Sequence, residues 1–223
     1  MHAFRRLLIT DLRNRRNTII ATLIAFVLLH AAIAILTYQL RLPSDAYGFV
    51  MVMNITLFSI VLLIPFLHCF STWREEWKQH SIYHLLSLPV HRNYLLMSKY
   101  ISIVLEVVLI TVVMIAGLWM QYKLSDGMLF RAEPLITFEW SKVVLVLKLL
   151  LVLTSVVFLS SLSMFIGKCC GRLSLGATFV SFICGLLVGV LAFANFPSIV
   201  TLAILSLAYF LVSMYLLEKK VGV

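Results

Sequence analysis

Two ionisable residues stand inside long apolar runs of this chain, and chemistry would first be sought there. Glu106 lies in SKYISIVLEVVLITVV and Lys148 in KVVLVLKLLLVL. An ionised side chain in hydrocarbon costs several kcal/mol unless it is paired or wet, so such residues usually mark a function or a partner. A carboxylate and an ammonium on consecutive helices could pair. At ~1.5 Å per residue the two sit on the order of 10 Å from opposite faces of a hydrocarbon core, so the lysine chain would have to bridge the gap. In the alternative, Lys148 extends to its nearer interface and Glu106 is hydrated or protonated. Neither residue alone makes a proton relay. An intramembrane enzyme would have to draw on His30, His68, Glu106 or Lys148, and no HExxH, GxSxG or paired-carboxylate motif accompanies them. The cysteines have neither disulfide nor zinc spacing. Cys69 and Cys184 belong to apolar runs and Cys169–Cys170 are adjacent, so all four are expected as reduced thiols packed like small hydrophobes, with no metal site.

A second concentration of polar chemistry is residues 75–100, EEWKQHSIYHLLSLPVHRNYLLMSKY, set between two apolar runs. Trp73, Trp77, Ser81, Leu85 and Leu88 recur at helical spacing, with Arg74, Glu75, Lys78 and Gln79 largely elsewhere on the wheel. Pro89 should end that helix, and a second should start near His91. A tight hairpin needs only a few residues; this connection, 71–98, uses about 27. An amphipathic helix of this kind either rests on a lipid surface or docks into a groove of a soluble partner.

The elements that must hold these residues follow from composition. Of 223 residues, 62% are hydrophobic and 12% charged, outside the soluble globular range. Apolar runs lie near 18–40, 47–70, 98–121, 142–167, 173–194 and 197–217. Each is long enough to cross a core of about 30 Å as a helix, and none alternates as a barrel strand would. The expectation is an all-α, polytopic integral membrane protein with six transmembrane helices in a single domain, 1–223. Breaks are expected at Pro43–Asp45, at Gly171–Arg172 and at Asn195–Pro197. The first apolar run is too long for a signal-peptide core and lacks a small-residue cleavage site, so it reads as a retained span.

Placing the N-terminus inside puts Arg5, Arg6, Arg13, Arg15, Arg16, Arg74, Lys78, Arg92, Lys99, Lys168, Arg172, Lys219 and Lys220 on the inner side, against only Arg41, Lys123, Arg131 and Lys142 outside. Both termini and residues 71–98 are then cytoplasmic. The net charge of +9 is accounted for by topology and anionic lipid, with no role for nucleic acid. Phe4, Leu7, Leu8 and Leu12 make residues 1–17 an amphipathic interfacial helix. Residues 122–141 form the longest outer loop, either a cap over a pathway or a simple connection. Gly185 and Gly189 form a GxxxG pair, better suited to packing within the subunit than to a dedicated dimer seam.

With this layout in place, the chain resembles the type-2 ABC exporter permease family. That family's pattern between its second and third spans is a glutamate, Gly-Thr four and five residues on, a Leu-Leu pair, a proline and a lysine. The corresponding residues are Glu76, His80-Ser81, Leu85-Leu86, Pro89 and Lys99, with His80-Ser81 departing from Gly-Thr. The resemblance implies a cytoplasmic coupling helix between spans two and three, with Glu76, His80, Ser81, Leu85, Leu86, Pro89 and Arg92 facing an ATPase partner. No GxxxxGK[ST] loop is present, so the chain is not itself expected to be an enzyme. ATP and Mg would sit on a separate cytoplasmic ATP-binding subunit, and a second permease subunit, identical or related, would complete the assembly. Many relatives place re-entrant helices between spans five and six, where this chain has only Asn195, Phe196 and Pro197. The apolar, aromatic spans fit export or clearance of an amphipathic substrate such as an antimicrobial peptide, across a bacterial plasma membrane. A membrane anchor or sensory subunit without transport is the alternative.

Overall fold

A computed structural model describes residues 2–39, 47–78, 92–125, 140–171 and 174–221. Regular structure among them is entirely helical: α1 (His2–Gln39), α2 (Tyr47–Lys78), α3 (Arg92–Leu124), α4 (Trp140–Cys169), α5 (Ser174–Asn195) and α6 (Ile199–Leu216), closing in a π-helical turn, Leu217–Val221. Helix is the state that pairs every backbone polar group within its own segment, as lipid requires. Five of these stretches are long and apolar enough to cross a membrane, and α2 contributes an apolar stretch, Gly48–Ile60, among its described residues. Their outer faces carry large apolar side chains, with Leu175 70% and Val188 58% exposed. Water would penalise such a surface; acyl chains do not.

The helix ends follow local chemistry. No glycine or proline interrupts residues 2–39, so the expected interfacial helix at 1–17 is continuous with the first apolar run in one helix of 38 residues. Likewise α2 runs unbroken from its apolar stretch through Lys78, so the helix expected to begin at Trp73 is its last turns. Pro89, the expected stop of that helix, lies outside the described residues. So do the Pro43–Asp45 break and most of the 122–141 connection. After α4, Gly171 takes φ +60°, the left-handed conformation that glycine adopts without a Cβ penalty. At the α5–α6 turn, Ser198 caps α6 by accepting a hydrogen bond from the Thr201 amide at 3.1 Å.

The chain divides into two compact units. One comprises Ile9–Pro65 and Ser102–Glu139. Its apolar core is Phe26 and Ile33 of α1, Val50 and Leu57 of α2, and Ile110 and Met114 of α3. Arg15 meets Glu106 and His30 meets Gln121, each across a separation of 91 residues. A constant separation means that α1 and α3 run parallel.

The other unit comprises Met1–Leu8, Phe66–Ile101 and Trp140–Val223. Here α4 is central, with most of its residues from Thr154 to Gly167 buried. Its serines would be costly in an apolar interior, but Ser160, Ser161 and Ser163 each donate to the carbonyl four residues back, at 2.7, 3.1 and 2.8 Å. Small residues let neighbours approach. A Cβ on Gly185 would strike Leu159 of α4, and one on Gly189 would press on Leu205 of α6 at 3.1 Å. The GxxxG pair thus serves two contacts inside the subunit. Tyr209 closes the α5–α6 contact by donating to the Gly185 carbonyl at 2.7 Å.

Gly167 is the tightest of these positions. A Cβ there would overlap Thr178 Oγ1 and lie 2.5 Å from the Ser174 backbone carbonyl, which cannot swing aside. Gly167→Ala should therefore lower stability by about 1–3 kcal/mol, the usual range for overpacking. Thermal unfolding of the purified chain in detergent tests this, and an unchanged midpoint would contradict the packing described.

Candidate functional site

The residues that flank the 79–91 segment meet in one buried cluster. Lys99 of α3 is 3% exposed, and its ammonium is ion-paired with Glu76 Oε1 of α2. The same ammonium lies 4.8 Å from the centre of the Trp73 ring. Trp73, 1% exposed, donates its indole N–H to Ser161 Oγ of α4 at 3.1 Å and packs edge-on to Phe165, with ring centres 4.8 Å apart. Helical spacing explains the set: Trp73 and Glu76 are three residues apart and so share a face of α2, while Ser161 and Phe165 share a face of α4. Carboxylate and ring together replace much of the hydration that a buried ammonium loses.

A second clamp lies at the start of α3. Arg92 Nη1 donates to the carbonyls of Leu217 and Glu218 at 2.9 and 2.8 Å. Terminal carbonyls of a helix lack intrahelical partners and carry the negative end of its dipole, so a guanidinium is a fitting cap. Tyr94, two residues further on, faces Phe4 with ring centres 5.8 Å apart. Tyr100 shares a hydrogen bond with Thr154 of α4 at 2.8 Å and stacks on Phe158. The two ends of the connection are thereby tied to α4 and to the end of α6. His80, Ser81, Leu85, Leu86 and Pro89 lie outside the described residues.

In the Ile9–Pro65/Ser102–Glu139 unit, Glu106 is fully buried and receives a hydrogen-bonded ion pair from Arg15 of α1 at 2.8 Å. This partner was not among the sequence expectations, which placed Arg15 only among the inner-side cations. Its signal is the continuous stripe Arg15, Ile19, Phe26, His30, Ile33, Thr37, all buried. Arg15 extends the apolar face of the first span at the same helical period. Lys148 is half-buried in α4.

Further along the same helices is a neutral network that sequence reasoning also missed. Asn54 donates to Gln121 Oε1 at 2.8 Å and to the Val50 carbonyl at 3.0 Å. Gln121 Nε2 lies 3.2 Å from His30 Nδ1, and His30 Nε2 lies 3.0 Å from Met114 Sδ. With the amide so oriented, Nδ1 accepts and the ring proton sits on Nε2, directed at the thioether. Gly117 makes room, since a Cβ there would overlap the imidazole. This histidine is a structural hub within three helices, and His68 is half-buried on α2. Among the described residues no group of three or more His, Cys, Asp or Glu is placed to hold a metal ion. Of the cysteines, Cys69 is buried and lies 3.9 Å from Ser161 Oγ, as expected of a packed thiol, whereas Cys169, Cys170 and Cys184 are exposed. Their positions fall on outward helix faces or at the end of α4, which the apolar run alone does not distinguish.

Helices of this length, apolar on the outside and carrying their ionic groups inside, define a multi-pass integral membrane protein. Residues 6–218 match the family model described as ABC-2 family transporter protein, and the chain belongs to that family. It is therefore a membrane permease component of an ABC transporter, a transport subunit whose family works with a separate ATP-binding subunit. No curated protein and no solved structure matches the chain.

The Arg15–Glu106 pair should behave as a unit. Arg15→Met, which removes the guanidinium from a fully buried carboxylate, is expected to cost about 3–5 kcal/mol. Arg15→Met with Glu106→Leu should cost distinctly less. Unfolding of the single and double variants in detergent measures the coupling; additive losses would show that the two side chains do not depend on each other.

Proposed function

We propose that this chain crosses a bacterial plasma membrane six times with both termini in the cytoplasm, and that residues 76–92 form the coupling segment that docks on the ATPase subunit. ATP and Mg act on that partner. Two ATPases and two permeases, the second permease identical or related, make up the transporter. The observation that carries this reading is the pinning of both ends of the segment: Glu76 to Lys99, and Arg92 to the end of α6. A load applied to a loose loop is lost in the loop. Applied to a segment held at both ends, it moves the helices that hold it. Closure of the ATPase dimer would press on the segment, and the Trp73–Phe165 and Tyr100–Phe158 contacts would pass the displacement to α4 as a rigid-body shift between two discrete packings.

The exported or cleared substrate is amphipathic, with antimicrobial peptides as the leading class. The support is compositional: spans rich in apolar and aromatic side chains suit such a molecule better than a sugar or a metal cation.

Two experiments test the coupling role. Leu85→Asp with Leu86→Asp should leave a folded membrane protein that no longer co-purifies with its ATPase; full co-purification with full transport would sink the assignment. Lys99→Met should keep the ATPase bound yet lower substrate-stimulated ATP turnover by tenfold or more, on the order of one or two lost kcal/mol of coupling. ATP turnover that the reconstituted wild-type permease never stimulates would instead favour an anchoring subunit.

A further inference from the structure

One cleft is made where α2, α4 and α5 come together at their polar ends. It encloses about 710 Å³. Its floor is aromatic: Phe66 and Phe70 of α2 and Phe182 of α5 form a mutual cluster with ring centres 4.9–5.7 Å apart. Phe179, 66% exposed, extends that floor outward. Its other end carries Arg74, Lys78 and Lys168. Among the described residues no carboxylate lines it, Glu76 being committed to Lys99. None of the three cations makes an ion pair among the described residues. Lys168 lies 5.0 Å over the Trp77 ring, which holds its ammonium at the cleft edge. The first turn of α5 opens beside them at Ser174, adding the positive end of a helix dipole.

An aromatic trough with three unpaired cations at one end matches one kind of molecule, an acyl chain joined to a phosphate. Free phosphate would leave the trough unused, and a zwitterionic lipid would bring its own cation against three others. We propose that this cleft is a specific site for one anionic membrane phospholipid, whose phosphate is held by Arg74, Lys78 and Lys168 and whose chain lies along Phe66, Phe70 and Phe182. The site goes beyond the transport role and does not require it. The lipid wedges between α2 and the α4–α5 pair, next to Trp77 and the last turn of α2.

The test uses the full chain purified in mild detergent with phosphatidylglycerol or phosphatidylcholine, with bound lipid counted by native mass spectrometry. The wild type should retain phosphatidylglycerol in preference to phosphatidylcholine. Replacing Arg74, Lys78 and Lys168 by glutamine should abolish that preference, with roughly fivefold weaker retention for each charge removed. A control variant with Arg5, Arg13 and Arg16 replaced by glutamine has the same net charge and should keep it. Phe179→Ser should weaken retention without altering charge. All three side chains in the first set are exposed, so the variants should fold, and size-exclusion profiles check this. Equal retention of both lipids, equal losses in both triple variants, or displacement of the lipid by millimolar inorganic phosphate would overturn the assignment.

Discussion

Everything in this protein answers to one constraint: a polar group in hydrocarbon must find its partner within the protein. The backbone meets it by being helix almost throughout the described residues. Side-chain hydroxyls meet it by bonding back along their own helix, as the serines of α4 do. The ionic groups meet it across helices, Arg15 with Glu106 and Lys99 with Glu76. Because an unmatched charge there is far costlier than a mismatched methyl group, these pairs dictate which helices lie together and at what height. Apolar packing then fills the space that the pairs define.

The two ion pairs differ in what they can do. Arg15–Glu106 sits among apolar core residues with a neutral histidine–glutamine–asparagine network further along the same helices, and its surroundings are those of a structural tie. Glu76–Lys99 joins the flanks of a long connection and is backed by a buried tryptophan that bonds to α4. On the proposed reading, a tie in that position lets the connection act as a lever. The same physical device therefore stabilises one unit and, on the proposed reading, transmits force in the other.

Much of the architecture was legible in the sequence because hydropathy is a one-dimensional signal. The α3, α5 and α6 boundaries fall within a few residues of the expected ones, and the Gly171 and Pro197 breaks stand where turn chemistry requires. Helix continuity was less legible. Residues 2–17 and 71–78 are polar enough to read as separate elements, yet nothing in them breaks a helix, so α1 and α2 run on. The resemblance in the 76–99 region pointed to Glu76 and Lys99 as members of a pattern, without indicating that they touch.

By itself the sequence determined that the chain lives in lipid, that it is helical, which stretches face hydrocarbon, and that it carries no phosphate-binding loop of its own. These follow from composition and local spacing, which need no knowledge of neighbours. Tertiary structure alone decided the partners: Arg15 for Glu106, Gln121 for His30, Trp73 and Glu76 for Lys99, and three cations gathered at the end of one aromatic trough. Partnership depends on helix rotation and relative height. Those are set by the sum of many packing contacts across helices, and no single stretch of sequence contains that sum.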